Sequence, residues 1–216
     1  MTRFNGVIFD LDGTLLDSMK VWENVDKDFL ARNDAVYTPE VSDTVKRMTV
    51  RQSAEYFRTN FCPHLTCDEI ISRVEEMVSE QYRCSIPLKK GAADTVKRLY
   101  DMGIRLCVAT ATYNSLAYAA LKRLKILDML EFVLTCQDVN AGKDDPVIFT
   151  ASAEKLGLDI NEVLVVEDSL HCIETAKKAG FYTAAVYDPI AANEWELICS
   201  TADAAFMEIG ELFKLL

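Results

Sequence analysis

The sequence is short of basic charge. Among 216 residues, 23 Lys and Arg stand against 34 Asp and Glu, a formal net charge of -11. The long-range field of such a chain repels nucleic-acid backbones and anionic membrane surfaces, so neither is expected as a partner. A small charged substrate stays allowed, because local charges decide inside a cleft. No apolar run reaches the length that a membrane span needs. The opening stretch MTRFNGVIFDLDG carries acid too early for a signal peptide. Cys-x-x-Cys pairs are missing: the seven cysteines, Cys62, Cys67, Cys84, Cys107, Cys136, Cys172 and Cys199, are scattered and odd in number, which reads as reduced thiols in a cytoplasm. Cys62, His64 and Cys67, with Cys84 as a fourth, could be thought a zinc site, but their spacing fits no recurrent zinc pattern; buried or incidental thiols are expected instead. Internal repeats and low-complexity linkers are lacking too.

Half of the residues are hydrophobic, enough for one sizeable core or one domain carrying a small insertion. Five short runs are apolar on both faces, as strands covered by helices on both sides must be: Gly6 to Asp10, Arg105 to Thr110, Phe132 to Thr135, Val163 to Asp168 and Tyr182 to Val186. Helical patterns separate them. One ends on Gly103, one opens on a capping Asn114, and one runs from Ser169 to Gly180. This alternation predicts an α/β fold with a doubly wound parallel sheet. Between Ser18 and Pro87 the pattern is helical throughout, in MKVWENVDKDFLAR, VRQSAEYFRTNF and CDEIISRVEEMVSEQYR, whose apolar stripes can be buried only against one another. The expected division is therefore a core of residues 1–17 and 88–216 with an α-helical cap domain, residues 18–87, inserted on short hinges near Asp17 and Pro87. The tail predicts a last helix, a short strand and an amphipathic closing helix over the sheet edge.

Ligands of an open parallel sheet collect at the carboxyl ends of its strands, where strand order reverses. Asp10 ends the first strand, Thr110 the second, Lys143 follows the third, and Glu167 with Asp168 ends the fourth. Two aspartates placed directly after a buried run cost stability unless something binds them. Each of these residues taken alone has a plain reading as a helix cap or a solvated loop charge. Together, DLDGT (Asp10 to Thr14), Thr110 in VATAT, Lys143 in GKDDP and the acidic pair in VVEDS resemble the haloacid dehalogenase-like phosphatase superfamily, in its motif order and over the whole chain. The helical insertion resembles that superfamily's cap, and β-phosphoglucomutase-like members share both cap and motifs.

The resemblance implies a Rossmann-like core and a Mg²⁺ ion bound by Asp10, Asp168 and the backbone carbonyl of Asp12, with Glu167 supporting from behind. It implies Asp10 as nucleophile, forming an aspartyl-phosphate, and Asp12 as acid and base. Thr110, the amide of Ala111 and Lys143 would hold the transferring phosphoryl group of a small phosphorylated metabolite. Asp12 separates this chain from members that cleave carbon–halogen bonds, which lack it. Phosphosugar mutase is the nearer alternative, although Trp22 stands where those enzymes carry a histidine and Asp144 follows Lys143 where they carry proline. A phospho-receiver or a silent binding protein is more remote. In the cap, Lys20, Trp22, Arg47 and Arg51 are candidates for substrate contact by position.

Overall fold

A computed structural model describes residues 3–45 and 48–215. The described residues form a parallel sheet of β1 (Gly6–Phe9), β2 (Arg105–Thr110), β3 (Phe132–Thr135), β4 (Val163–Glu167), β5 (Tyr182–Val186) and β6 (Ala204–Phe206). The strand order is β3-β2-β1-β4-β5-β6, so successive strands run outward in one direction from β1 and in the other from β4. The reversal opens a crevice at the carboxyl ends of β1 and β4. Phe9 pairs in register with Val108 of β2 and Val166 of β4, which brings Asp10 and Glu167 out on the same rim.

Both faces of the sheet are covered, and the strands alternate between two apolar clusters. Val7, Phe9, Leu106 and Val108 face one, while Ile8, Cys107, Ala109 and Val165 face the other. The helices are α1 (Met19–Ala31), α2 (Pro39–Val45), α3 (Val50–Asn60), α4 (Cys67–Cys84), α5 (Ala92–Asp101), α6 (Asn114–Arg123), α7 (Cys136–Val139), α8 (Val147–Leu156), α9 (Leu170–Lys178) and α10 (Trp195–Thr201). Among them, α8 packs on β1, β2 and β3, α5 on β2, α6 on β3, and α9 on β4 and β5.

The segment between β1 and β2 opens with four helices in which α4 packs on α1 and α3 and then on core helix α6. Reciprocal capping boxes start two of them, Thr49 with Gln52 at α3 and Thr66 with Glu69 at α4. The buried stripe of α4 is Ile70, Val74, Val78 and Tyr82, one residue every four. The chain leaves and re-enters the sheet side by side: Asp17 N donates to Pro87 O at 3.0 Å, Lys89 N donates to Leu15 O at 2.8 Å, and Leu16 bridges Leu88.

Three features differ from the sequence-based expectations. Asn114 is the first helical residue of α6 and not its cap; Tyr113 occupies the N-cap position without a side-chain bond. Helix α8 buries one face, Ile148, Phe149, Ser152, Ala153 and Leu156, but its sequence period is weak because that face includes a serine and apolar Val147 and Ala151 lie off it. The closing segment Ile209–Leu215 is a 3₁₀ helix: its buried residues Ile209 and Leu212 are three apart, the spacing that aligns in that geometry. No helix among the described residues is long and apolar enough to cross a membrane.

Candidate active site

The crevice gathers buried charge that the protein only partly neutralises. Lys143 Nζ lies 2.5 Å from Asp10 Oδ1 and 2.6 Å from Glu167 Oε1, with its side chain 6% exposed. The other oxygen of Glu167 accepts from the amides of Asp168 at 3.1 Å and Ser169 at 3.3 Å. Asp10 Oδ2 is buried with no hydrogen-bond partner. Oxygens of Asp10, Glu167 and Asp168 all lie within 4.8 Å of one another. Burial raises the pKa of Asp10, and the charge of Glu167 adds to it, against the opposing pull of Lys143. Burial likewise holds Asp168 well above the usual carboxylate range, with Glu167 and Asp10 contributing. Burial works against the Lys143 ammonium, but the two carboxylates outweigh it and keep its pKa high. One ammonium against three carboxylates leaves this cluster a cation short. A set of oxygen donors with an orphaned oxygen fits a hard divalent ion of the Mg²⁺ class.

The loop carrying Asp12 is held from beneath. Gly13 has φ +88°, and a Cβ there would sit 2.2 Å from Asp168 Oδ2, so only glycine lets the backbone pass this close. Its carbonyl accepts from Lys89 Nζ at 2.6 Å, and the same ammonium reaches Tyr187 O at 2.7 Å and Asp188 Oδ2 at 2.9 Å.

Asp12 belongs to a separate network of hydroxyls. Ser18 Oγ donates to its Oδ1 at 2.5 Å and Thr112 Oγ1 to its Oδ2 at 2.5 Å. A third donor, the Tyr82 phenol, reaches Asp12 Oδ1 from the last turn of α4. Burial first, and then the charge of Asp12, push the Tyr82 pKa well up, so the phenol keeps its proton. Trp22 Nε1 of α1 donates to Tyr82 Oη at 2.6 Å, and the two rings meet edge-on at 6.1 Å. The amide of Thr112 donates to the Thr110 hydroxyl at 3.0 Å, fixing the turn after β2.

All of the core residues singled out in the sequence border one cavity of about 600 Å³: Asp10, Asp12, Thr110, Ala111, Lys143, Glu167 and Asp168. Lys20 and Trp22 border it from α1. Arg51 does not: it is exposed, and its guanidinium lies 3.2 Å from Asp68 Oδ1. Arg47 lies outside the described residues. Cys62 is buried and Cys84 exposed, and among the described residues the acidic trio is the one group of potential metal ligands that converges. Ser18, Tyr82 and Thr112 went unread in the sequence. Thr112 lies inside the VATAT stretch and Ser18 just beyond DLDGT, whereas Tyr82 continues an apolar stripe and carries no local signal.

Comparison with known proteins identifies the family. The haloacid dehalogenase-like hydrolase family model matches residues 7–186. Pyrophosphatase PpaX of Bacillus pumilus is 28% identical over 185 residues, covering 86% of this chain and 84% of that protein. Mitochondrial (DL)-glycerol-3-phosphatase 1 of Arabidopsis thaliana is 27% identical over 190 residues, covering 84% of this chain, and the match spans 63% of that longer relative. The CbbY protein of Rhodobacter sphaeroides, crystallised with phosphate, superposes with a TM-score of 0.83 at 21% identity, covering 97% of this chain and 96% of that one, which is a likeness of fold. A family match that takes in β1 to β5, over a crevice built from the ends of β1, β2 and β4, settles the relationship: the chain belongs to the haloacid dehalogenase-like hydrolases.

Proposed function

We propose that the chain is a Mg²⁺-dependent phosphatase that hydrolyses a small phosphorylated metabolite through an aspartyl-phosphate on Asp10. The observation that carries this reading is the unpartnered Oδ2 of Asp10 inside a carboxylate cluster that is a cation short. The relatives named for pyrophosphate and glycerol-3-phosphate hydrolysis support the reaction class.

Asp10, Asp168 and the backbone carbonyl of Asp12 would hold the ion, with both oxygens of Glu167 already committed to Lys143 and to backbone amides. When bound, the ion supplies the positive charge that lets an anionic nucleophile approach an anionic ester. Asp10 attacks phosphorus; the Oδ–P bond forms as the ester P–O bond breaks, and Asp12 gives its proton to the departing oxygen. Water then attacks the same phosphorus, Asp12 takes its proton, and Asp10 is released with inorganic phosphate. The Thr110 hydroxyl, the Ala111 amide and Lys143 hold the phosphoryl oxygens. Residues 18–87 act as a cap on hinges at Asp17 and Pro87, closing over residues 1–17 and 88–216 and excluding water. Hydrolysis is favoured over return of the phosphoryl group to a sugar, because Trp22 offers a single N–H donor, spent on Tyr82. The cysteines, none in a disulfide, support a reducing cytoplasm.

The test is a panel of phosphorylated sugars, polyols, nucleotides and small acids with Mg²⁺, assayed for free phosphate and for rearranged ester. Phosphate release without rearrangement is expected, and it should vanish in Asp10→Asn with the fold intact by circular dichroism. Rearrangement without release would replace phosphatase by mutase.

A further inference from the structure

Beyond the carboxylate cluster the cavity continues between α1, α3 and α4, where its wall is apolar: Val50 and Phe57 from α3, Ile70 and Val74 from α4. About 600 Å³ is far more than a phosphoryl group fills, since a water molecule takes about 30 Å³ in the liquid. The remaining space is where the leaving group would lie. Two polar side chains on it have no hydrogen-bond partner among the described residues. Asp26 of α1 makes no hydrogen bond or ion pair among the described residues, and burial is the one influence on its carboxyl, pushing its pKa up to about 7. Tyr113, at the N-cap of α6, is 5% exposed, and its hydroxyl is buried without a partner.

Among the described residues, the charges around this space are one-sided. Glu23, which Lys27 engages, borders it beside Asp26. Among the described residues, the basic side chains on the cavity are Lys20, exposed on the first turn of α1, His171 beside the acidic cluster, and Lys143, bound to Asp10 and Glu167. A second phosphate or carboxylate on the substrate would therefore lose its water to apolar surface beside a carboxylate, with no counter-charge from the described residues to offset the cost. A hydrogen-bond donor has the opposite fate. It satisfies Asp26, and an ammonium does so with the added strength of a charge-assisted bond in a partly dry site.

We infer, resting on the phosphatase reading above, that this enzyme selects phosphomonoesters whose leaving group is an apolar frame bearing a hydrogen-bond donor, an ammonium ahead of a hydroxyl, and no second anion. Asp26 is the specificity-determining residue.

The experiment compares n-butyl phosphate with its derivatives carrying a terminal hydroxyl, ammonium or carboxylate, all with Mg²⁺ and the full chain. The expected order of kcat/KM is ammonium, hydroxyl, methyl, carboxylate, with about tenfold between ammonium and methyl for one charge-assisted bond. In Asp26→Asn the ammonium-to-methyl ratio should fall close to one. A carboxylate ester turned over as well as the ammonium ester would overturn the inference while leaving the phosphatase reading in place; so would an ammonium preference unchanged in Asp26→Asn. If no ester releases phosphate, titration calorimetry of the same four compounds decides. Tightest binding of the ammonium ester would retain the selectivity and remove the phosphatase reading, and equal binding of all four would remove both.

Discussion

Tyr82 donates its phenolic hydrogen to the carboxylate of Asp12 across 70 residues of chain, from the helical segment to the rim of the sheet. The proposed acid and base is thus positioned partly by a helix that the chain reaches only after leaving the core. Ser18 and Thr112 complete the set of donors, and Trp22 fixes the phenol in turn.

Removing that hydroxyl should misplace Asp12 without disturbing Asp10. Tyr82→Phe is expected to lower kcat about tenfold on esters with poor leaving groups, the order of effect that loss of one orienting contact has on proton transfer. KM should change little, and aryl phosphates, whose leaving groups need less protonation, should be affected less. Steady-state kinetics over a series of leaving groups checks this. An equal loss on all esters would mean that Tyr82 serves only packing.

Lys89 links the loop after β1 to the end of β5, through Gly13 O, Tyr187 O and Asp188. The Asp188 side chain is 2% exposed and that of Lys89 14%, so Lys89→Met strands a buried carboxylate and two carbonyls. A loss of roughly 3 kcal/mol is expected, at the lower end of what breaking a buried ion pair costs. Urea unfolding measures it; a change below about 0.5 kcal/mol, the range of ordinary surface substitutions, would show that the link is idle.

Asp26 predicts a pH dependence of stability. Its folded-state pKa of about 7 lies above the ordinary 3.8, so the folded protein holds this proton when the unfolded chain has lost it. Stability contributed at low pH is therefore lost as pH rises from about 4 through 7, and the cost is complete above that. Asp26→Asn removes the cost, a gain on the order of 2 kcal/mol at pH 8 once partial exposure is allowed for, and little at pH 4. Thermal melts at the two pH values test the sign. An equal shift at both would contradict it.

The core site was legible because its residues sit at strand ends, where apolar runs stop abruptly on Asp10, Thr110 and Glu167. Their order along the chain and the parallel topology together fix where they meet. The helical segment was less legible. Tyr82 follows Ile70, Val74 and Val78 at helical spacing, and an aromatic in that stripe reads as packing; only the tertiary contact reveals its hydroxyl on Asp12. Arg51 reads as a substrate contact by position, yet its side chain turns outward to Asp68, because sequence position does not fix the direction of a long, exposed side chain. Helix α8 shows little period in the sequence because its buried face includes Ser152 while apolar Val147 and Ala151 lie off that face.

Transient phosphorylation of Asp10 is the step on which the proposed reaction turns. Asp12→Asn should slow release of the phosphoryl group while leaving Asp10 able to attack an ester with a good leaving group. Acid quench of Asp12→Asn with Mg²⁺ and p-nitrophenyl phosphate, followed by peptide mass spectrometry, tests it directly. One added phosphoryl group, located on Asp10, is expected. An unmodified Asp10, in a variant that has released a stoichiometric burst of nitrophenol, would contradict it.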